Sequence, residues 1–214
     1  MKRKPANPDE ITPCASIEDA VARSMEEDAA IDGQRFESDA LEHLHVRMLD
    51  FAGCVFRRVL FADVSATRMH FSNCRFEQCD LSALHFREGT LTRVEFADCR
   101  MTGCTLERMK IKDVLFQDVQ MNYATLTGCK MERVEFTNCD LTQGLFQECE
   151  QKDLALTGCK LMGAEIQSML LKGVDLSECV LDGIAVAPEL LRGVTVSLEQ
   201  APLILGLYGV KIRL

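Results

Sequence analysis

Residues 69–101 read MHFSNCRFEQCDLSALHFREGTLTRVEFADCRM, and a five-residue beat in this stretch decides the fold. Phe71, Phe76, Leu81, Phe86, Leu91, Phe96 and Met101 stand five apart. Cys74, Cys79, Leu84, Gly89, Val94 and Cys99 form a second series, two residues ahead of Phe76 through Met101. Followed outward, the first column is apolar at every step from Leu41 to Val196 except Gln151, and all 11 phenylalanines, from Phe36 to Phe146, belong to it. The second column runs from Leu44 to Val194, broken only by Gly89, Gly144 and Glu189, and holds every cysteine except Cys14. No insertion or deletion disturbs either column, which is the mark of an internal repeat.

Regular secondary structure cannot bury such columns. On an α-helix each five-residue step rotates the side chain by about 140°, so one column would wind over every face. On a straight strand each step flips it to the opposite side. A chain that turns a corner every five residues keeps both columns inside. Four sides close a square coil of roughly 20 residues, and stacked coils satisfy one another's backbone groups. The frame over residues 36–196 predicts about eight coils and a rod about 38 Å long at roughly 4.8 Å per coil.

The blocks Cys79-Asp80-Leu81-Ser82, Cys139-Asp140-Leu141-Thr142 and Val174-Asp175-Leu176-Ser177 resemble those of the pentapeptide-repeat family. That resemblance implies an all-β solenoid, the right-handed quadrilateral β-helix. The expected organisation is an N-terminal tail and capping helix over 1–35, the β-helix over 36–196, and a helix/strand cap with dimerisation segment over 197–214.

Composition narrows the function. The chain has 214 residues, 47% of them hydrophobic, which excludes wholesale disorder. Its net charge of -9 argues against direct nucleic-acid binding. Residues 1–40 carry 5 basic and 10 acidic residues and supply -5, leaving -4 for the rest. No apolar run is long enough for a membrane span, and no signal peptide follows Met1-Lys2-Arg3-Lys4, so a cytoplasmic location is expected. The inward cysteines read as reduced packing residues, since no Cys-x-x-Cys or histidine column accompanies them. His43, His45, His70 and His85 build no triad. Neither catalytic residues, metal nor cofactor is expected.

Taking every twentieth residue separates the sides. Behind a ladder of Phe56, Phe76, Phe96, Phe116 and Phe136 the outward charges begin with Arg57, Arg58 and Arg75. They continue as Glu77, Glu95, Asp98, Asp118, Glu135, Asp175 and Glu178 with no base between, a candidate partner-binding acidic face. The side centred on Phe51 to Leu171 carries Arg93, Lys110, Lys112, Lys130, Arg133, Lys152 and Lys172.

Both ends of an open solenoid need covering. Residues 1–15, with Pro5, Pro8 and Pro13, read as loose. Ser16 is a candidate N-cap for a helix to Ala30, with Ile17, Val21, Met25 and Ala29 as its buried stripe. At the other end Ser197-Leu198-Glu199-Gln200 reads as a capping box before Leu203, Ile204, Leu205, Leu207 and Tyr208. Val210-Lys211-Ile212 would add a last strand. That apolar content exceeds the needs of one cap and predicts self-association. Residues 171–177, 191–193, 196–201 and 207–210 resemble the C-terminal segment of Gram-positive quinolone-resistance pentapeptide-repeat proteins. The resemblance implies a homodimer joined at this end that mimics DNA and binds DNA gyrase or topoisomerase IV. The competing expectation is a scaffold for an unrelated cytosolic protein.

Overall fold

The computed structural model describes residues 11–211. Parallel pairing at a constant offset of 20 residues runs through it: Phe36↔Phe56, Phe76↔Phe96, Phe96↔Phe116 and Phe136↔Leu156 are successive partners on one side. The chain is therefore a four-sided parallel β-solenoid, as the columns require, with about 9 turns rather than eight. The additional turn lies ahead of residue 36, where Ile31–Asp32 pairs with Leu49–Ala52. The Phe face is centred on Phe36 to Val196 and the lysine face on Ile31 to Leu191. The turn face is centred on Leu41 to Leu181 and the fourth face on Val46 to Val186.

Corners come from backbone conformation. The second residue after nearly every central apolar position has positive φ, between 51° and 55° at Ser38, Arg58, Asn73, Asp98 and Arg133, with Met48 and Glu178 among the exceptions. This left-handed conformation redirects the strand every five residues, and Gly, Asn and Asp adopt it most cheaply. Gly173, with φ 82°, is one corner where a Cβ would be strained whatever the space around it. On the turn face the blocks close by hydrogen bonds spanning three residues, such as Cys104 N to Met101 O at 3.2 Å. Asp80, Asp140 and Asp175 then have a structural task. Each carboxylate accepts from the backbone N–H two residues on, at 3.0, 3.0 and 2.9 Å.

Inside, every buried side chain is apolar among the described residues. The ladder Phe56, Phe76, Phe96, Phe116 and Phe136 stacks with centroid distances of 4.5, 4.7, 4.9 and 4.7 Å and rings within 12° of parallel. A second stack, Phe51 on Phe71, meets it edge-on. The cysteines of the second column are free and buried. Their thiols donate to carbonyls at the corners: Cys139 Sγ reaches Phe116 O at 3.3 Å and Thr137 O at 3.5 Å. Burial pushes the Cys104 thiol up to about 12. Cys99 is likewise raised, by its hydrogen bond to Cys79 and by burial. Burial keeps the column's thiols from solvent, and at Cys99 and Cys104 the raised pKa adds to that in making them poor nucleophiles.

Gln151, the polar break in the first column, does not point inward. Its amide lies between two coils of the lysine face, where Nε2 donates to Leu170 O at 3.0 Å and Lys172 O at 3.3 Å. The strand ladder on this face ends there, and the side chain supplies the bonds that a further strand would have made.

Helix α1 (Ile17–Glu27) starts at Ser16, whose Oγ accepts from Asp19 N at 3.2 Å. It lies against the first turns, and Ile17 N donates to the Asp39 carboxylate at 2.6 Å. Its buried stripe is Ile17, Ala20 and Val21, while Met25 is exposed. The helix stops at Asp28 in the left-handed region, so Ala29 never joins the stripe. Pro13 is also not loose: Thr12–Pro13 pairs in parallel with Gln34–Glu37. As the outermost strand it presents a residue without an N–H, which discourages further pairing. Pro5 and Pro8 lie outside the described residues.

At the other end a 3₁₀ turn, Pro188–Leu191, displaces Glu189 outward before Leu191 returns to the core. Ser197 and Gln200 form the reciprocal capping pair, Ser197 N to Gln200 Oε1 at 2.7 Å and Gln200 N to Ser197 Oγ at 3.3 Å. Helix α2 (Ala201–Leu207) follows, with Pro202 accommodated in its first turn and Gly209 in the left-handed region just past its end. Val210 and Lys211 join no strand, and Ile212 lies outside the described residues.

The aromatic stack is the part of the core least able to relax. Phe96→Ala should cost about 3–5 kcal/mol in urea unfolding.

Candidate docking surfaces

With the two inward columns consumed by the core, three positions per block face solvent, and each has its neighbour one coil away. Many outward charges are matched along this direction. Arg57 meets Glu77 at 2.8 Å, Arg75 meets Glu95 at 2.7 Å, Lys112 meets Glu132 at 3.2 Å, and Lys130 meets Glu150 at 3.2 Å. Arg133 meets Asp113 at 2.6 Å and also holds Glu132. The histidines follow the same rule: His43 bonds Asp63, His45 bonds Ser65 and His70 bonds Thr90, each a coil further on.

These pairs sort the acidic face. Glu77 and Glu95 lie on the Phe face but are held by arginines, Glu77 accepting two bonds from Arg57 at 2.9 and 2.8 Å. Glu95 takes two from Arg75, at 3.0 and 2.7 Å. Asp175 is committed to Ser177, whose hydroxyl and then N–H hydrogen bonds hold its carboxyl below the usual range. Glu135 stands in register between Leu115 and Ala155. Asp98 and Asp118 are different. They occupy successive corners, both exposed, bordering a shallow groove with Gln78, Asp80, Arg100 and Gln120. Asp118 accepts from the neutral amides of Gln117 at 3.2 Å and Asn138 at 3.1 Å, and neither aspartate has a cationic partner among the described residues. Glu178, at the equivalent corner further along, is exposed and likewise lacks an ion pair. The seven acids thus share one face, but the accessible negative charge concentrates at its Asp98–Asp118 corner.

The C-terminal residues divide too. Leu203, Ile204 and Leu207 pack on the solenoid core, closing its end. Leu205 and Tyr208 stay exposed, beside Leu198 and Val210. Tyr208 Oη donates to Pro188 O at 3.0 Å, which fixes the ring outside the core. Sequence reasoning could not separate the two sets, because the five-residue frame ends before α2.

Among the described residues no group of three or more His, Cys, Asp or Glu could hold a metal ion. No helix among them is long and apolar enough to cross a membrane.

Comparison with known proteins follows this geometry. A family described as pentapeptide repeat region matches residues 69–137. No curated protein matches the sequence. Among solved structures, the chain is similar to HetL, a pentapeptide repeat protein involved in heterocyst differentiation regulation in the cyanobacterium Nostoc sp. strain PCC 7120. That match has 12% identity over 85% of this chain and 95% of HetL, with a TM-score of 0.43. It is also similar to a trypsin-treated variant of QnrB1, a plasmid-mediated fluoroquinolone resistance protein. There the identity is 18% over 86% of this chain and 91% of the other, with a TM-score of 0.46. Full-length QnrB1 gives 15% identity over 85% and 97%, with a TM-score of 0.34.

The ion pairs make a pH prediction. The hydrogen bond from Arg133 holds the Asp113 carboxyl below its usual range. A depressed folded pKa gives stability that is complete above the unfolded value near 4 and is lost as pH falls through the folded one. Asp113→Asn should therefore lower the urea midpoint at pH 7, by up to about 1 kcal/mol after solvent screening. Near pH 2 the variant and the parent should unfold together. The exposed His43–Asp63 pair acts in the opposite sense on the histidine side. His43 is raised by the Asp63 hydrogen bond, so its contribution fades as pH climbs through that raised value.

Proposed function

We propose that this chain, a pentapeptide-repeat protein, is a non-enzymatic homodimeric rod that docks on the DNA-binding surface of a type II topoisomerase, DNA gyrase or topoisomerase IV, and alters its response to quinolones. The observation that carries the reading is the uncompensated carboxylate corner. From Glu77 to Glu178 the Phe face presents no base, and Asp98 and Asp118 occupy successive corners with no ion pair among the described residues, the nearby Arg100 being paired with Asp80. The resemblance of the C-terminal segment to quinolone-resistance members supports the choice of partner.

The mechanism is electrostatic. A rigid solenoid offers carboxylates where the enzyme's cationic saddle receives phosphates, and a carboxylate contains no phosphodiester bond to cleave. Fixed charges on a backbone that needs no reordering lose little entropy on docking. Binding should weaken as salt rises, because exposed charges more than about 10 Å apart are screened at 0.1 M.

Gyrase supercoiling with and without a quinolone tests the docking. At low salt, excess protein should change supercoiling or quinolone-induced cleavage, and Asp98→Lys with Asp118→Lys should abolish the change. No effect of the parent protein under those conditions overturns the reading. A pull-down that returns another cytosolic protein, insensitive to the two lysine substitutions, would favour the scaffold reading instead.

Self-association is assigned to the exposed set Leu198, Leu205, Tyr208 and Val210, backed by Leu203, Ile204 and Leu207. Sedimentation at tens of micromolar should give twice the mass of 24.0 kDa, and Leu205→Asp with Tyr208→Asp should give the monomer. A parent protein that sediments as a monomer removes the dimer.

A further inference from the structure

Opposite charges follow one another along most outward columns, as Arg57–Glu77, Lys112–Glu132 and Arg133–Asp113 show. On the lysine face the alternation fails. Lys152, Lys172 and Arg192 occupy the same outward position in three successive coils, all exposed and without an ion pair among the described residues. The coils concerned are directly adjacent: Gln151 Nε2 reaches Lys172 O, and Gly173 N donates to Gly193 O at 3.0 Å. Like charges facing one another across neighbouring strands destabilise the sheet, so nothing in the fold itself favours this stack. Beside it Leu170 stands outward and is 62% exposed.

We propose that this surface docks an extended acidic segment of a protein partner, with carboxylates on Lys152, Lys172 and Arg192 and an apolar residue on Leu170. Its length fits. Three coils step over about 10 Å, the reach of three to four extended residues at roughly 3.3 Å each. Side chains must do the recognising, because the backbone here is already bonded to coils on both sides, Leu170 O and Lys172 O by Gln151 and the Leu171 and Gly173 N–H groups to Leu190 O and Gly193 O. Nucleic acid suits the surface less well. A phosphate backbone gains nothing from the exposed Leu170. The carboxylates of the Phe face, one corner away, would also repel a duplex of many phosphates. This surface is separate from the Asp98–Asp118 corner and does not depend on what binds there.

The test is fluorescence anisotropy of the full chain with a labelled peptide, Gly-Ser-Glu-Glu-Leu-Glu-Glu-Ser-Gly, at low salt. Its counterpart with Ser for Leu and a labelled 20-base-pair duplex serve as comparisons. Lys152→Glu with Lys172→Glu should weaken the peptide about tenfold or more, and Leu170→Ser about threefold. Arg47→Glu, on the fourth face, should change nothing, and circular dichroism should show the same strand signal in every variant. The proposal is overturned if the double reversal leaves peptide affinity within about twofold, if the Leu and Ser peptides bind alike, or if the duplex binds more tightly than the peptide.

Discussion

Along the solenoid each side chain, outward or inward, has as neighbour the residue 20 positions along, because parallel coils stack in register. That constraint governs the rest. Inward, it puts ring on ring and thiol beside thiol, so the sequence must repeat an identity or a volume for as long as the rod continues. Phe56 to Phe136 do so without a break, and the rings sit within 12° of parallel because their backbones do. Outward, it puts charge against charge. A solenoid that repeated one charge would push its own coils apart, and the sequence mostly alternates the sign instead.

The second constraint is the corner. A left-handed residue in nearly every block bends the strand, and most of these residues are not glycine. Arg58, Arg93 and Arg133 sit there at a steric cost that cooperative stacking must cover. Their side chains return something through contacts with the preceding coil, Arg133 with Asp113 and Arg93 with Asn73 at 2.5 Å. The Asp of the Cys79-Asp80-Leu81 type of block is explained by the same geometry, since its carboxylate caps the turn that the corner opens. A residue that looks like surface charge in a string of letters is part of the backbone's hydrogen bonding.

Function follows from departures from these rules rather than from obedience to them. Three places depart: the Asp98–Asp118 corner, the Lys152–Lys172–Arg192 stack, and the apolar end around Leu205 and Tyr208. In each the molecule keeps a feature its own stability does not need. A rigid rod holds such features at fixed spacing, which suits recognition of an extended surface better than catalysis in a cleft.

The five-residue beat by itself determined the solenoid, its inward columns and the faces that carry each charge. Corner backbone allows one register only, and a single insertion would have turned phenylalanines to solvent. The helix starts at Ser16 and the Ser197–Gln200 cap were legible for a similar reason, being local hydrogen bonds within three residues. Tertiary structure alone decided which charges remain available. Glu77 and Asp98 look alike in sequence, yet Arg57 lies one coil before Glu77 and no cation lies before Asp98. It also decided that Gln151 bridges coils, that Met25 faces water, and that Leu203 packs inward while Leu205 does not. These outcomes depend on contacts between residues distant along the chain, or on where a short helix comes to rest, and no five-residue count contains either.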